Sequence, residues 1–169
     1  MKDKLLVVKI GGSIIENELI LNDFLKSFSK IKIKKILVHG GGKIASSFLK
    51  KIGVVPKLVD GRRITDKKTL DIVTMTYAGL LNKKIVTNLQ KYNCNSLGLS
   101  GSDGNLILAK KRGVKKIDYG YVLCNNNKTC PVSQPQSKLS LVLLRRKKFL
   151  HLKNSHRLLA LLRNLLLQW

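Results

Sequence analysis

The chain has 169 residues, 44% hydrophobic and 25% charged, with 33 Lys and Arg against 9 Asp and Glu for a net charge of +24. That size and balance suit one domain with a real core and argue against disorder, and charges interrupt every apolar run before the roughly 18–20 residues a bilayer span needs. Three cysteines (Cys94, Cys124, Cys130) form no C-x-x-C pair, so neither a disulfide framework nor a zinc site is expected; with no cleavage-site pattern after the opening residues, a cytoplasmic location is.

Leu5 to Ile10 is a short apolar, partly β-branched run that stops at Gly11-Gly12, the pattern of a buried parallel strand. Glu16 to Lys30 then places Leu19, Leu21, Phe24, Leu25 and Phe28 on one face of a helix. Lys35 to His39 reads as a second strand, stopped by Gly40-Gly41-Gly42. Lys43 to Ile52 reads as a helix, with Gly53 as terminator. Asp60-Gly61 carries hairpin chemistry between Lys57-Leu58-Val59 and Arg62-Arg63-Ile64-Thr65. From Asp66 to about Lys91, Leu70, Val73, Tyr77, Leu80 and Leu81 recur at three- and four-residue steps, a long helix with Thr65 as the expected cap. Ser96 to Leu99 is a third strand, Gly101 to Gly104 a turn in which Asp103 is a turn residue, and Leu106 to Ala109 a further apolar run. Strands alternating with helices define an open α/β sheet.

The composition breaks near residue 122. Residues 1–122 hold 24 basic and all 9 acidic residues, whereas residues 123–169 hold 9 basic residues and no acidic one. All 13 glycines and all 14 isoleucines lie at or before Gly120, and the last 47 residues carry 14 leucines. Losing Gly, Ile and acid together while Leu rises points to a change of reading frame near Val122. The alternative is a basic amphipathic helix, since Leu158, Leu159, Leu162, Leu165 and Leu166 fall at helical spacing.

In an open α/β sheet the ligand sits beyond the carboxyl ends of the strands, and here both early strands end in glycines. Glycine admits close approach of backbone to an anion, and helix N-terminal N–H groups point at it. Lys9 brings a cation to the same edge, so phosphoryl or carboxylate groups are the expected ligands. A tight strand-to-helix turn also uses glycine without any ligand. The loops fit neither G-x-G-x-x-G nor G-x-x-x-x-G-K-[ST], which disfavours a dinucleotide fold and a Walker loop. His39 reads as a packed strand-end histidine rather than a base.

Val8-Lys9-Ile10-Gly11-Gly12-Ser13, Val38-His39-Gly40-Gly41-Gly42-Lys43 and Gly61-Arg62-Arg63-Ile64-Thr65-Asp66 together resemble the amino acid kinase family. The likeness continues through Tyr77 to Lys83, Gly98 to Asn105 and Asp118 to Val122, is strongest to the branch acting on acylglutamates, and stops at Leu123. It implies a three-layer α/β/α open, mainly parallel sheet over residues 1–122, with residues 123–169 a basic Leu-rich tail unlike the family. It also implies ATP- and Mg2+-dependent phosphorylation of the γ-carboxylate of N-acetylglutamate or another N-acylglutamate. By motif match, Lys9 would stabilise charge on the transferring phosphoryl group, and Gly11 and Gly12 would face the phosphates. Gly41 and Gly42 would hold the reacting carboxylate end, and Arg63 would pair with the α-carboxylate. No protein-held metal site, no specific nucleic acid and no membrane are expected as partners, and the intact enzyme would be a homo-oligomer. The family's ATP-binding half has no counterpart in residues 123–169, which places activity of this chain in doubt. Another member of the superfamily, or a non-catalytic basic nucleic-acid-binding remnant, are the alternatives. Against the latter, Lys is abundant beside Ile and Asn, as A/T-rich codons would produce, and aromatic residues are only 5%.

Overall fold

A computed structural model describes residues 5–103, 117–121 and 140–144. β1 (Leu5–Ile10) pairs in parallel with β2 (Lys34–His39), from Leu5 opposite Lys34 to Ile10 opposite His39. Between them lie α1 (Gly12–Glu16) and α2 (Glu18–Lys30). The helix expected over 16–30 is α2, beginning at Glu18, and α1 is a separate short helix before it that periodicity did not mark. Asn17 stands between them, and its side chain accepts from the Leu19 and Ile20 N–H groups at 3.1 Å, which caps α2.

α3 (Gly42–Lys51) follows, and Gly53 ends it as expected. With φ at +73°, Gly53 lets its own N–H reach Lys50 O and the Val54 N–H reach Leu49 O, a Schellman closure. β3 (Leu58–Val59) and β4 (Arg62–Arg63) form the expected hairpin, with Asp60 and Gly61 both at positive φ, the backbone that an Asp-Gly turn of type I′ requires.

The long helix over 66–91 is one continuous run with a change of pitch. α4 (Lys67–Thr74) passes into a π-helical segment, Met75–Leu81, and then α5 (Asn82–Lys91). Its cap is Asp66, not Thr65: the Asp66 carboxylate accepts from the Thr69 N–H at 2.7 Å. Hydrogen bonds from the Thr69 side chain and then from its N–H hold the Asp66 carboxyl below its usual range. Thr65 is buried instead, and its backbone bridges Tyr119 and Tyr121 around Gly120. Leu19 and Leu80, placed on apolar faces by spacing, are exposed.

β5 (Ser96–Ser100) and β6 (Ser140–Leu144) complete a four-stranded sheet of order β1-β2-β6-β5. β1, β2 and β5 run in one direction and β6 runs against them, hydrogen-bonded to β2 and β5. The fold class is thus α/β, with three of its four strands codirectional. Ile10, Ile15, Leu21, Leu25, Phe28, Leu37, Ala45, Val73, Ile85 and Leu89 join all five helices to β1 and β2 in one core. The apolar run at 106–109 lies outside the described residues, as does the helical alternative for 158–166.

Candidate functional site

Because Ile10 stands opposite His39, β1 and β2 end level and their glycine turns leave the sheet side by side. Gly11 caps α1 and Gly41 caps α3, so two helices start at this edge. Lys43 at the start of α3 reaches Glu16 at the end of α1 at 3.4 Å, a largely exposed pair of small energetic worth.

Beside α3 lies an open cleft of about 600 Å3. Its walls are Gly42, Lys43, Ser46, Ser47 and Lys50 of α3, Leu58, Gly61 and Arg63 of the hairpin, and Tyr77 of the π-helical segment. Every charged residue among these is a cation, which suits an anionic ligand. Arg63 leans across from β4 onto the start of α3, where its Nη2 donates to Gly42 O at 2.6 Å and to Ser46 Oγ at 2.5 Å.

Behind the cleft, His39 is fully buried and burial depresses its pKa to about 4, a bonded Gly40 carbonyl opposing the shift. It is therefore neutral at pH 7. With Nδ1–H directed at Gly40 O, its Nε2 accepts from Asn82 Nδ2 at 3.3 Å. Asn82 Nδ2 also reaches Leu99 O at 3.3 Å, and Lys83 Nζ donates to Gly98 O at 3.1 Å, which pins the start of α5 to β5. Gly98 is obligatory there, because an added Cβ would collide with Asn82 Oδ1 and stand 2.8 Å from Val86 Cγ2. The packed reading of His39 agrees with this geometry. Asp103 is a turn residue as expected, accepting from Ser100 Oγ at 2.8 Å.

Of the residues singled out from sequence, the cleft gathers Gly42 and Arg63. Gly41 is buried behind them, where an added Cβ would meet Leu81 Cδ1 and lie 3.0 Å from Tyr77 Cε1, so a side chain there would require Leu81 to shift. Lys9 is exposed at the end of β1, and an added Cβ at Gly11 would meet nothing within 4 Å. Lys9, Gly11 and Gly12 adjoin the cleft without lining it. Sequence reasoning passed over Ser46 and gave Tyr77 and Asn82 no role. Ser46 follows Gly42 by one helical turn, and that spacing is the signal that could have marked it. Among the described residues no three His, Cys, Asp or Glu side chains cluster as metal ligands, and no helix is long and apolar enough to cross a membrane.

Alongside these glycine-ended strands, the cationic cleft and the α/β sheet, a profile of the amino acid kinase family matches residues 4–139. The chain belongs to that family. It is similar to the acetylglutamate kinase of Cytophaga hutchinsonii, 54% identical over 120 residues that cover 70% of this chain and 46% of that protein. The acetylglutamate kinases of Bacteroides fragilis and Phocaeicola vulgatus are 52% and 51% identical, each over 72% of this chain and 47% and 48% of their own lengths. The chain thus spans about half the length of the curated relatives it matches.

Proposed function

We propose that residues 1–122 form the acceptor-binding lobe of an ATP-dependent acetylglutamate kinase acting in the cytoplasm. One observation carries the reading: Arg63 and the N-terminus of α3 share a cleft whose charged walls are all cationic, next to the glycine turn that follows Lys9. N-acetylglutamate, or another N-acylglutamate, presents two carboxylates to such a site. Arg63 takes the α-carboxylate, while Gly42 at the start of α3, with Gly41 fixing the turn behind it, holds the γ-carboxylate. Gly11 and Gly12 face the phosphates, and Lys9 offers a cation to the charge that develops on the transferring group. ATP with Mg2+ supplies the phosphoryl group: a γ-carboxylate oxygen attacks the terminal phosphorus, ADP leaves, and an acyl phosphate forms. The identity to acetylglutamate kinases supports this choice of acceptor. The segment 123–169 is proposed to be unlike the kinase sequence, on the strength of its missing Gly, Ile and acidic residues, although the family profile runs on to residue 139.

The test is calorimetric titration of the full chain with N-acetylglutamate. Binding is expected, with Arg63→Lys weakening it by about 1.5–3 kcal/mol because an ammonium cannot reproduce the guanidinium geometry. Equal damage from Arg62→Lys with none from Arg63→Lys would move the role to the neighbour, and no binding at all would overturn the acceptor assignment.

A further inference from the structure

Arg63 is not a loose arm. Its Nη2 gives one hydrogen bond to Gly42 O and one to Ser46 Oγ, and both hydrogens of that nitrogen are thereby used. Ser46 Oγ in turn donates to Gly42 O at 3.0 Å, the i−4 carbonyl of its own helix, which fixes the hydroxyl rotamer. The three groups close a small ring at the first turn of α3. Arg63 Nε is buried without a hydrogen-bond partner among the described residues, so it cannot reach a ligand where it stands. Nη1 is thus the nitrogen left to offer hydrogens to the cleft, and its direction is set by the anchor on Nη2.

We infer that Ser46 is a positioning residue for Arg63. It acts through the guanidinium, not on the ligand, by holding Nη2 so that Nη1 faces the carboxylate in the cleft; the inference rests on the proposed acceptor site. Both bidentate edges of an arginine include Nη2 or Nε. The held guanidinium therefore meets a carboxylate through Nη1 alone, a narrower contact than the two-pronged pair expected from arginine chemistry. In return, the cation is already oriented before the ligand arrives, so less side-chain freedom is lost on binding. Threonine at this position would keep the anchor, since its hydroxyl can bond the same i−4 carbonyl. Alanine would remove it and leave the guanidinium tied only to Gly42 O.

Two readouts on the full chain test the inference. Arginine-labelled NMR follows rotation and hydrogen exchange of the Arg63 guanidinium without ligand, and calorimetry follows N-acetylglutamate binding. Restricted rotation is expected in the native chain, free rotation in Ser46→Ala and restriction again in Ser46→Thr. The dissociation constant should rise about tenfold in Ser46→Ala and return to within about twofold in Ser46→Thr, of the order of one charge-assisted hydrogen bond. An Arg63 guanidinium as mobile in the native chain as in Ser46→Ala would overturn the inference. So would unchanged or tighter binding by Ser46→Ala, the latter showing that the anchor competes with the ligand. A restrained guanidinium in a native chain that does not bind N-acetylglutamate would overturn the acceptor assignment and the positioning role with it, while the restraint itself would stand.

Discussion

β5 and β6 are neighbours in one sheet and come from stretches of different composition. β5 is fitted to α5 atom by atom: Gly98 receives Asn82, Lys83 holds Gly98 O, and Ser96, Gly98 and Ser100 turn buried faces to the helix. β6 is paired at four positions with β2 and five with β5. A backbone ladder asks only for an extended run without proline, which Ser140-Leu141-Val142-Leu143-Leu144 supplies from a segment that has lost every Gly, Ile and acidic residue. Strand pairing by itself therefore tolerates a change of composition, whereas the close approach of Gly98 to Asn82 favours one residue type.

The largest expected effect tests this contrast at the level of function. A chimera that replaces residues 123–169 with the C-terminal half of the Cytophaga hutchinsonii relative should form acyl phosphate from ATP and N-acetylglutamate roughly 10³-fold faster or more than the native chain. The physical reason is that magnesium needs oxygen ligands and no acidic residue follows Asp118. Hydroxamate trapping of the acyl phosphate measures it, and native turnover within tenfold of the chimera would make residues 123–169 a working half of an active site. In that chimera Lys9→Ala should lower kcat by roughly 10²-fold with little change in KM, since its charge acts on the transition state. A loss under tenfold would remove the assigned role.

At the level of stability, Gly98→Val should cost about 3 kcal/mol or more in urea unfolding, because Asn82 and Val86 must move to admit the new side chain. A cost under about 1 kcal/mol would show that Asn82 and Val86 yield without loss and that Gly98 is not required by the packing of α5 on β5.

The next effect concerns pH. The buried His39 has a folded pKa of about 4 against 6.5 when unfolded, so between these values the unfolded chain binds the extra proton. Stability therefore rises with pH across 4 to 6.5, is fully free of this penalty above that window, and loses about 3 kcal/mol below it. Thermal unfolding at pH 4.5 and 7 should show the fall, and His39→Gln should flatten it. The Asp66 cap, with its carboxyl held low, loses its contribution at still lower pH as the carboxylate protonates. An undiminished slope in His39→Gln would place the acid sensitivity elsewhere.

Much of the scaffold follows from local chemistry that a sequence displays. Asp60-Gly61 allows two consecutive positive φ values, so the hairpin forms where it stands. Gly53 ends α3 for the same reason, and the apolar spacing of Leu70, Val73, Tyr77 and Leu81 gives the long helix its buried face. The glycine-ended strands marked the edge at which Gly42 and Arg63 meet. Local chemistry also misled in detail: Asn17 caps α2 just inside the start that hydrophobic spacing marked, and Asp66 displaced Thr65 as cap by the stronger acceptor.

What tertiary structure alone decided are the contacts between residues far apart in the chain. Lys35 sits in a strand pattern as an ordinary charged residue, yet it is buried, with Nζ donating to Phe28 O, Ser29 O and Ile31 O at 2.5, 3.0 and 2.8 Å. Those carbonyls lie at the end of α2, where Phe28 O also accepts from the Ile31 N–H at 3.2 Å, and a buried ammonium helps satisfy them where a glycine cap or water would otherwise be needed. Burial pushes the Lys35 pKa down, and the neighbouring Cys94 opposes the shift. His39 finds Asn82 across 43 residues and Arg63 finds Ser46 across 17. Periodicity states which face of a helix is buried, because that is a property of the helix. Which polar atom will stand opposite a given donor depends on how two elements are set against each other, and only the folded chain fixes that.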